Sequence, residues 1–278
     1  MSEVIIVKKS GEKEPFDSSK LKESLLKAHA TALVANDIVR KIEGEMYDGM
    51  TTDEIYKKAF EILEDNEKKS AIKYSIRRSI FELGPSGFPF EKFIAELFEA
   101  KGYSSTTGLI LEGRCVEHEV DVMAHDKNDL FLCEVKFHND SNIKTDTKDA
   151  LYIKSRFDDL SEGIFSIDGE DRKMTRGILI TNTKFTDTAK KYVSCVGTFD
   201  LIGWEYPKKG NLYDIIEETG LHPITSIPQL SKHEKKELLD RGIVNCKDLK
   251  MHRAKLKEIG VEDDRIEDII KSVDVICG

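Results

Sequence analysis

Over residues 88–103 the chain reads FPFEKFIAELFEAKGY, in which Phe90, Phe93, Ile94, Leu97 and Phe98 recur at three- and four-residue intervals. That spacing predicts an amphipathic helix, with Gly102 where a C-terminal cap belongs. The period then shortens to two. Residues 107–111, 117–124 and 130–137 alternate in the manner of strands, and the polar HDKND between the last two predicts a hairpin turn. A helix over 147–160 follows, then a buried strand in RGILITNTKF, a helix in TDTAKKYVSCV and a last strand in FDLIGWEYP. The order helix, three strands, helix, strand, helix, strand predicts a mixed sheet with helices packed on it.

On either side the patterning is mainly helical. VIIVKKSGEKEPFD reads as a strand, a glycine turn and a second short strand. Asp17 or Ser18 caps a helix carrying Leu21, Leu25, Ala28 and Ala32, and further helices are predicted over 36–45, 52–63 (capped by Thr52 or Asp53) and 67–83. At the other end NLYDIIEETG, SKHEKKELLDRG, LKEIG and DRIEDIIKSV are all helical patterns. Pro/Gly punctuation in LGPSGFP and YPKKGN divides the chain into regions 1–84, 88–207 and 211–278. The fold class expected is α/β: a small α+β region, a mixed sheet flanked by helices, and a small all-α region.

Composition narrows the possibilities. A length of 278 residues accommodates two or three domains. The net charge of −9 argues against general electrostatic adhesion to nucleic acid or anionic membrane, though not against a local basic surface. Five scattered cysteines form no CxxC or Cys/His cluster, so no zinc site or disulfide framework is expected. With no apolar run approaching a membrane span, the expectation is a reduced, cytoplasmic protein without a membrane partner.

The chemistry sits in HEVDVMAHDKNDLFLCEVKFH, residues 118–138. Alternation places Phe131, Cys133, Val135 and Phe137 on one face as core, and Leu132, Glu134, Lys136 and His138 on the other. Closing the hairpin brings Asp121 near Glu134 and Lys136. Two carboxylates and an ammonium at adjacent strand positions suit a magnesium ion, which takes oxygen ligands, and a lysine that assists an attacking water or stabilises a phosphoryl transition state. Spacing alone equally allows an exposed ladder of ion pairs on a half-solvated sheet. His118 and His138 read as auxiliary. Thr181, Asn182 and Thr183 read as turn and cap residues, with a DNA-backbone contact as the alternative; Arg156 reads as structural or as a surface phosphate contact.

The order of Asp121, Glu134-Val135-Lys136 and the surrounding elements resembles the PD-(D/E)xK nuclease superfamily, with Val120 in place of the nominal proline. FEKFIAELFEAKGY, HEVDVMA, LCEVKFH and ILITNTKF are similar to its type IV, Mrr-like restriction endonuclease branch. The resemblance implies Asp121 and Glu134 as metal ligands, the Val135 carbonyl as a third, Lys136 as the catalytic lysine and Glu91, in preference to Glu96, as an added glutamate. It implies Mg²⁺ or Mn²⁺ as cofactor and DNA as substrate.

VIIVKKSGEKEPFDSSKL, with the later TTDEIY and AIKYSIRRSIFEL, resembles the ATP-cone, a nucleotide-binding regulatory module. The resemblance implies that Lys8, Lys9, Lys20 and an arginine of the 77–78 pair, Arg78, meet the phosphates of ATP or dATP, with Thr52 and Tyr56 near the nucleotide. No GxxxxGK[ST] motif is present, so this module is expected to sense nucleotide, not hydrolyse it. LLDRGIVNCKDL and AKLKEIGVEDDRIEDII have the pattern of helix-hairpin-helix modules, whose glycine turns offer amides to DNA phosphates. Residues 231–260 hold nine Lys/Arg against five Asp/Glu. Helical packing or oligomerisation is the alternative for this region. Together these readings predict a cytoplasmic, homo-oligomeric (dimeric or tetrameric) metal-dependent DNA endonuclease, regulated by ATP or dATP, with restriction or host defence as an extrapolated role. The alternatives are a non-catalytic, nucleotide-responsive DNA-binding regulator and a repair or junction nuclease.

Overall fold

A computed structural model describes residues 4–8 and 11–277. The chain divides into two compact units, one holding the chain up to Arg78 together with Asp274–Ile276 and the other running Ser79–Val273.

In the first unit, β1 (Ile5–Val7) pairs antiparallel with β2 (Lys13–Pro15), joined through Gly11 at φ +84°. Four helices follow: α1 (Ser18–Lys27), α2 (Ala32–Glu45), α3 (Thr52–Asn66) and α4 (Lys68–Phe81). Asp17 caps α1 by accepting from the Ser19 amide. For α3 the cap is Thr51, one residue earlier than predicted, because Thr51 and Glu54 form a reciprocal capping box. α1 stops at Lys27, so Ala32 opens α2 and does not extend the α1 stripe. Leu25, Ala35, Ile38, Ile42, Ala59 and Leu63 form the core.

The second unit is built on a five-stranded sheet with the order β11-β9-β5-β4-β3. Its elements begin with α5 (Phe88–Ala100), β3 (Ser104–Glu112), β4 (Glu117–His125), β5 (Leu130–Lys136) and the short β6 (Lys144–Thr145). Then come α6 (Thr147–Ser161), β7 (Phe165–Ile167), β8 (Glu170–Arg172), β9 (Arg176–Thr181) and β10 (Lys184–Phe185). α7 (Asp187–Val196) and β11 (Phe199–Ile202) complete it. β3, β4 and β5 are antiparallel neighbours, while β5, β9 and β11 run parallel, so the sheet is mixed as predicted. The strand expected through RGILITNTKF ends at Thr181, where Asn182 and Thr183 turn the chain.

Both faces of the sheet are covered, which corrects the division into one core face and one polar face. Leu130, Leu132 and Leu179 pack with Ala150, Ile153 and Phe157 of α6, while Phe131 meets Phe98 of α5 at a ring separation of 6.3 Å. A parallel sheet sheathed by helices tolerates few polar side chains. Glu134 nevertheless lies inside it at 7% exposure.

The same unit contains α8 (Leu212–Thr219), α9 (Lys232–Asp240), α10 (Cys246–Met251), α11 (Ala254–Glu258) and α12 (Asp263–Cys277) as far as Val273. Lys92 Nζ of α5 donates to the Gly242 carbonyl at 2.5 Å, Asn245 Nδ2 donates to Glu96 Oε2 at 2.6 Å, and Lys101 pairs with Glu218 at 3.1 Å. Cys246 is disulfide-bonded, contrary to the expectation from its sequence neighbourhood. Spacing cannot select a pairing among scattered cysteines, and Cys115, Cys133 and Cys195 are free thiols. Among the described residues no helix is long and apolar enough to cross a membrane.

Candidate active site

β4 and β5 run in register through Val122↔Cys133 and then separate. At this fork the Val135 amide donates to Asp121 Oδ2 at 2.6 Å, so a carboxylate takes the place of the next ladder acceptor. Glu134 projects between two cationic side chains. Lys136 Nζ lies 3.1 Å from its Oε1 and Arg156 Nη1 lies 2.6 Å from its Oε2, while Arg156 Nη2 donates to the Glu119 carbonyl. Glu91, in the first turn of α5, feels the charges of Asp121, Glu119 and Glu134. The structure therefore brings Asp121, Glu134, Lys136 and Glu91 into one electrostatic neighbourhood. Glu96 points elsewhere, to Asn245.

Burial first, and then the charge of Glu134, push the Asp121 carboxyl up to about 6. Burial, then Asp121, Glu119 and Glu134 in that order, push Glu91 up to about 7. Clustered carboxylates that raise one another's affinity for protons form a site of excess negative charge, which a divalent cation relieves. Among the described residues no group of three or more His, Cys, Asp or Glu side chains is placed to hold a metal ion. The oxygen donors on hand are Asp121, Glu134 and backbone carbonyls. That set fits Mg²⁺ or Mn²⁺, since Mg²⁺ needs only one or two protein carboxylates and keeps water.

The remaining polar residues nearby are hydrogen-bonded within the fold. His118 Nε2 lies 2.8 Å from Asp159 Oδ2, and the same carboxylate group accepts the amides of Cys115 and Val116, fixing the β3–β4 turn on α6. His138 meets Thr145 Oγ1 at 3.1 Å; its amide donates to Asn182 Oδ1, whose Nδ2 donates back to the His138 carbonyl. Thr181 Oγ1 donates to the Lys136 carbonyl at 2.9 Å. Thr181, Asn182 and Thr183 are buried, which removes the alternative of a DNA-backbone contact. Arg156 is the residue whose place sequence reasoning missed: it stands inside the charge cluster, 22 positions from Glu134, with no local motif to announce it. An apolar crevice lined by Ile94, Leu97, Ile202, Leu212 and Ile215 contains none of the candidate site residues.

In the first unit, Lys8 pairs with Glu14 at 2.7 Å and Glu12 at 3.1 Å, and Lys20 approaches Glu14 at 3.9 Å. The bridge between Val7 and Thr51 sets Lys8 beside the start of α3, where Thr52 is the first residue. One turn on, the Tyr56 ring stacks on Tyr74 at 5.1 Å, and the Arg78 guanidinium lies 4.9 Å over it. Lys9 lies outside the described residues.

The two glycine turns near the C-terminus are built alike. Ile243 N donates to the Leu238 carbonyl and Val261 N to the Leu256 carbonyl, across Gly242 at φ +74° and Gly260 at φ +84°. The first turn is held by Lys92 of α5, and the second leads into Asp263 and Asp264 in the first turn of α12. The local basic excess is largely paired: Arg241 with Glu237 and Glu258, Arg253 with Glu267, and Lys257 with Asp263. The first turn thus packs on α5.

This architecture, a mixed sheet whose forked strands carry an Asp and a Glu-x-Lys, defines a restriction-endonuclease type of core. Comparison with known families agrees: a model described as restriction endonuclease, of the Mrr catalytic type, matches residues 85–203. The ATP cone domain matches residues 4–81, and the AF1548-like C-terminal domain matches residues 222–277. The chain belongs to the AF1548-like family, as an ATP-cone domain joined to an Mrr-type restriction endonuclease domain. It is 36% identical over 186 residues to an uncharacterised protein of Archaeoglobus fulgidus, covering 66% of this chain and 100% of the relative. The crystal structure of AF1548, a protein of unknown function, matches with a TM-score of 0.55 at 34% identity, over 69% of this chain and 99% of that one. A likeness to the MspJI restriction endonuclease in complex with a 27-mer oligonucleotide has a TM-score of 0.36 at 14% identity, over 73% of this chain and 39% of that one, and is too slight to carry an argument.

Proposed function

We propose that the protein is a divalent-metal-dependent DNA endonuclease whose activity responds to ATP or dATP at its ATP-cone domain. The observation that carries the reading is the fork between β4 and β5, where Asp121, Glu134 and Lys136 meet with Glu91 close by. Asp121 and Glu134 would hold the metal, with the Val135 carbonyl as a third oxygen. A divalent cation bound to such a set supplies charge to neutralise a phosphodiester and makes water easier to deprotonate. The protein's own groups do the rest. Lys136, half-buried and paired with Glu134, would stabilise charge developing on the phosphate. Glu91, pushed up to about 7, takes up or gives back a proton near neutral pH.

At the cone, Lys8, Lys9, Lys20 and Arg78 would face the triphosphate, with Thr52 and Tyr56 beside it; lysines supply point charge suited to phosphates. Glu12 and Glu14 pair with Lys8, and a nucleotide would compete with them. The decisive experiment incubates supercoiled, linear and branched DNA with the protein and Mg²⁺, Mn²⁺ or EDTA, with and without ATP or dATP. Metal-dependent cleavage that drops at least about 100-fold in Lys136→Ala and in Asp121→Asn supports the reading. DNA binding without cleavage of any substrate, indifferent to both substitutions, would leave a nucleotide-responsive DNA-binding regulator instead.

A further inference from the structure

Arg156 stands where the sheet comes apart. Asp121 and Glu134 belong to strands that stop pairing after Val122↔Cys133, and past that point the backbone ladder no longer sets their separation. Two contacts of Arg156 span the gap, Nη1 to Glu134 Oε2 on β5 and Nη2 to the Glu119 carbonyl on β4, while the guanidinium also lies 5.6 Å from the Tyr152 ring centroid on its own helix. Helix α6 fixes the base of the side chain, because Ile153 and Phe157 on either side of it are buried in the core. A planar fork anchored at two points orients a carboxylate in a way a flexible ammonium cannot.

The two cations on Glu134 therefore differ in kind. Lys136 is about one-third exposed and reaches Oε1 from the same strand, whereas Arg156 is more buried and is also bound to β4. We propose that Arg156 is the positioning residue of this site: it splints the fork between β4 and β5 and holds Glu134 by Oε2, leaving Oε1, the oxygen paired with Lys136, as the one exchanged when a divalent cation binds. This rests on the metal-dependent reading of the site. It adds a task for a residue outside the Asp and Glu-x-Lys set.

Arg156→Gln and Arg156→Lys separate orientation from charge. If orientation governs, both variants bind Mn²⁺ more weakly than wild type in calorimetry, by about 10–100-fold, the range usual for partners that orient a metal ligand. If the guanidinium acted only through its charge, Arg156→Lys would match wild type and Arg156→Gln, relieved of a repulsive charge, would bind Mn²⁺ more tightly; that result overturns the proposal. Hydrogen exchange on the metal-free protein gives a second readout that needs neither metal nor DNA. Loss of the splint speeds exchange at the Val135 amide about tenfold while leaving Leu179, in the neighbouring core strand, unchanged. Unaltered exchange at Val135 in both variants overturns the splint. Should the wild-type protein bind no Mn²⁺, the nuclease reading fails, and exchange at Val135 still decides the role of Arg156.

Discussion

At Glu91 burial and three neighbouring carboxylates act in the same direction, so this one side chain reports the charge of the whole site. Because the folded protein holds its carboxyl up to about 7, the fold favours the neutral acid. The stabilising contribution is present at low pH and is lost as pH rises through 7. Glu91→Gln is accordingly expected to melt higher than wild type in metal-free buffer at pH 8, by about 2–4 °C, with the gap closing as pH falls toward 4.5. Thermal melts across that range check the sign. Cleavage should show the opposite trend, falling below pH 7 as Glu91 and then Asp121 take up protons. The carboxylates were legible in the sequence because charge in an alternating strand is conspicuous. Arg156 was not, because its place depends on where α6 crosses the sheet, and the helical pattern of residues 147–160 does not record that crossing.

Elements explain how the site keeps its shape. α6 lies so close to β9 that a Cβ on Gly177 would sit 2.7 Å from Phe157 Cε2. Gly177→Ala therefore forces Phe157, the neighbour of Arg156 on α6, to shift. A loss of about 1–3 kcal/mol in urea unfolding is expected from such overpacking, accompanied by weaker metal binding. α5 is gripped on another face, where burial raises Glu96 to about 8 while the Asn245 amide group lowers it in part. Asn245→Ala removes that donor and also the N-cap of α10, where Asn245 Oδ1 accepts from the Asp248 amide, at an expected cost of about 1–3 kcal/mol. The main strands and helices could be read from periodicity, since their apolar stripes are long. The β7–β8 hairpin was passed over although its turn, Asp168-Gly169, carries the aspartate-glycine pair that a two-residue turn with positive φ at both positions requires. The short pairing of β6 with β10 leaves no pattern at all: two residues per strand are too few to show alternation.

For the molecule as a whole, the division into two compact units turns the idea of a regulatory cone into something measurable. Each unit has its own core, so thermal unfolding followed by calorimetry is expected to show two transitions. ATP or dATP should raise the transition of the first unit, by about 2.7 kcal/mol of stabilisation at a hundredfold excess over the dissociation constant. Lys8→Ala combined with Lys20→Ala should abolish that rise. Binding alone is not regulation, however. A cone that controls cleavage must couple the two ligands, and coupling is reciprocal: if nucleotide alters Mn²⁺ affinity by some factor, Mn²⁺ alters nucleotide affinity by the same one. Titrating Mn²⁺ with and without saturating ATP, and ATP with and without Mn²⁺, is expected to return matching factors of about 5–150. Identical Mn²⁺ isotherms in the two conditions would leave the cone a nucleotide-binding passenger, and the conformational readout would then have to be sought in DNA binding instead.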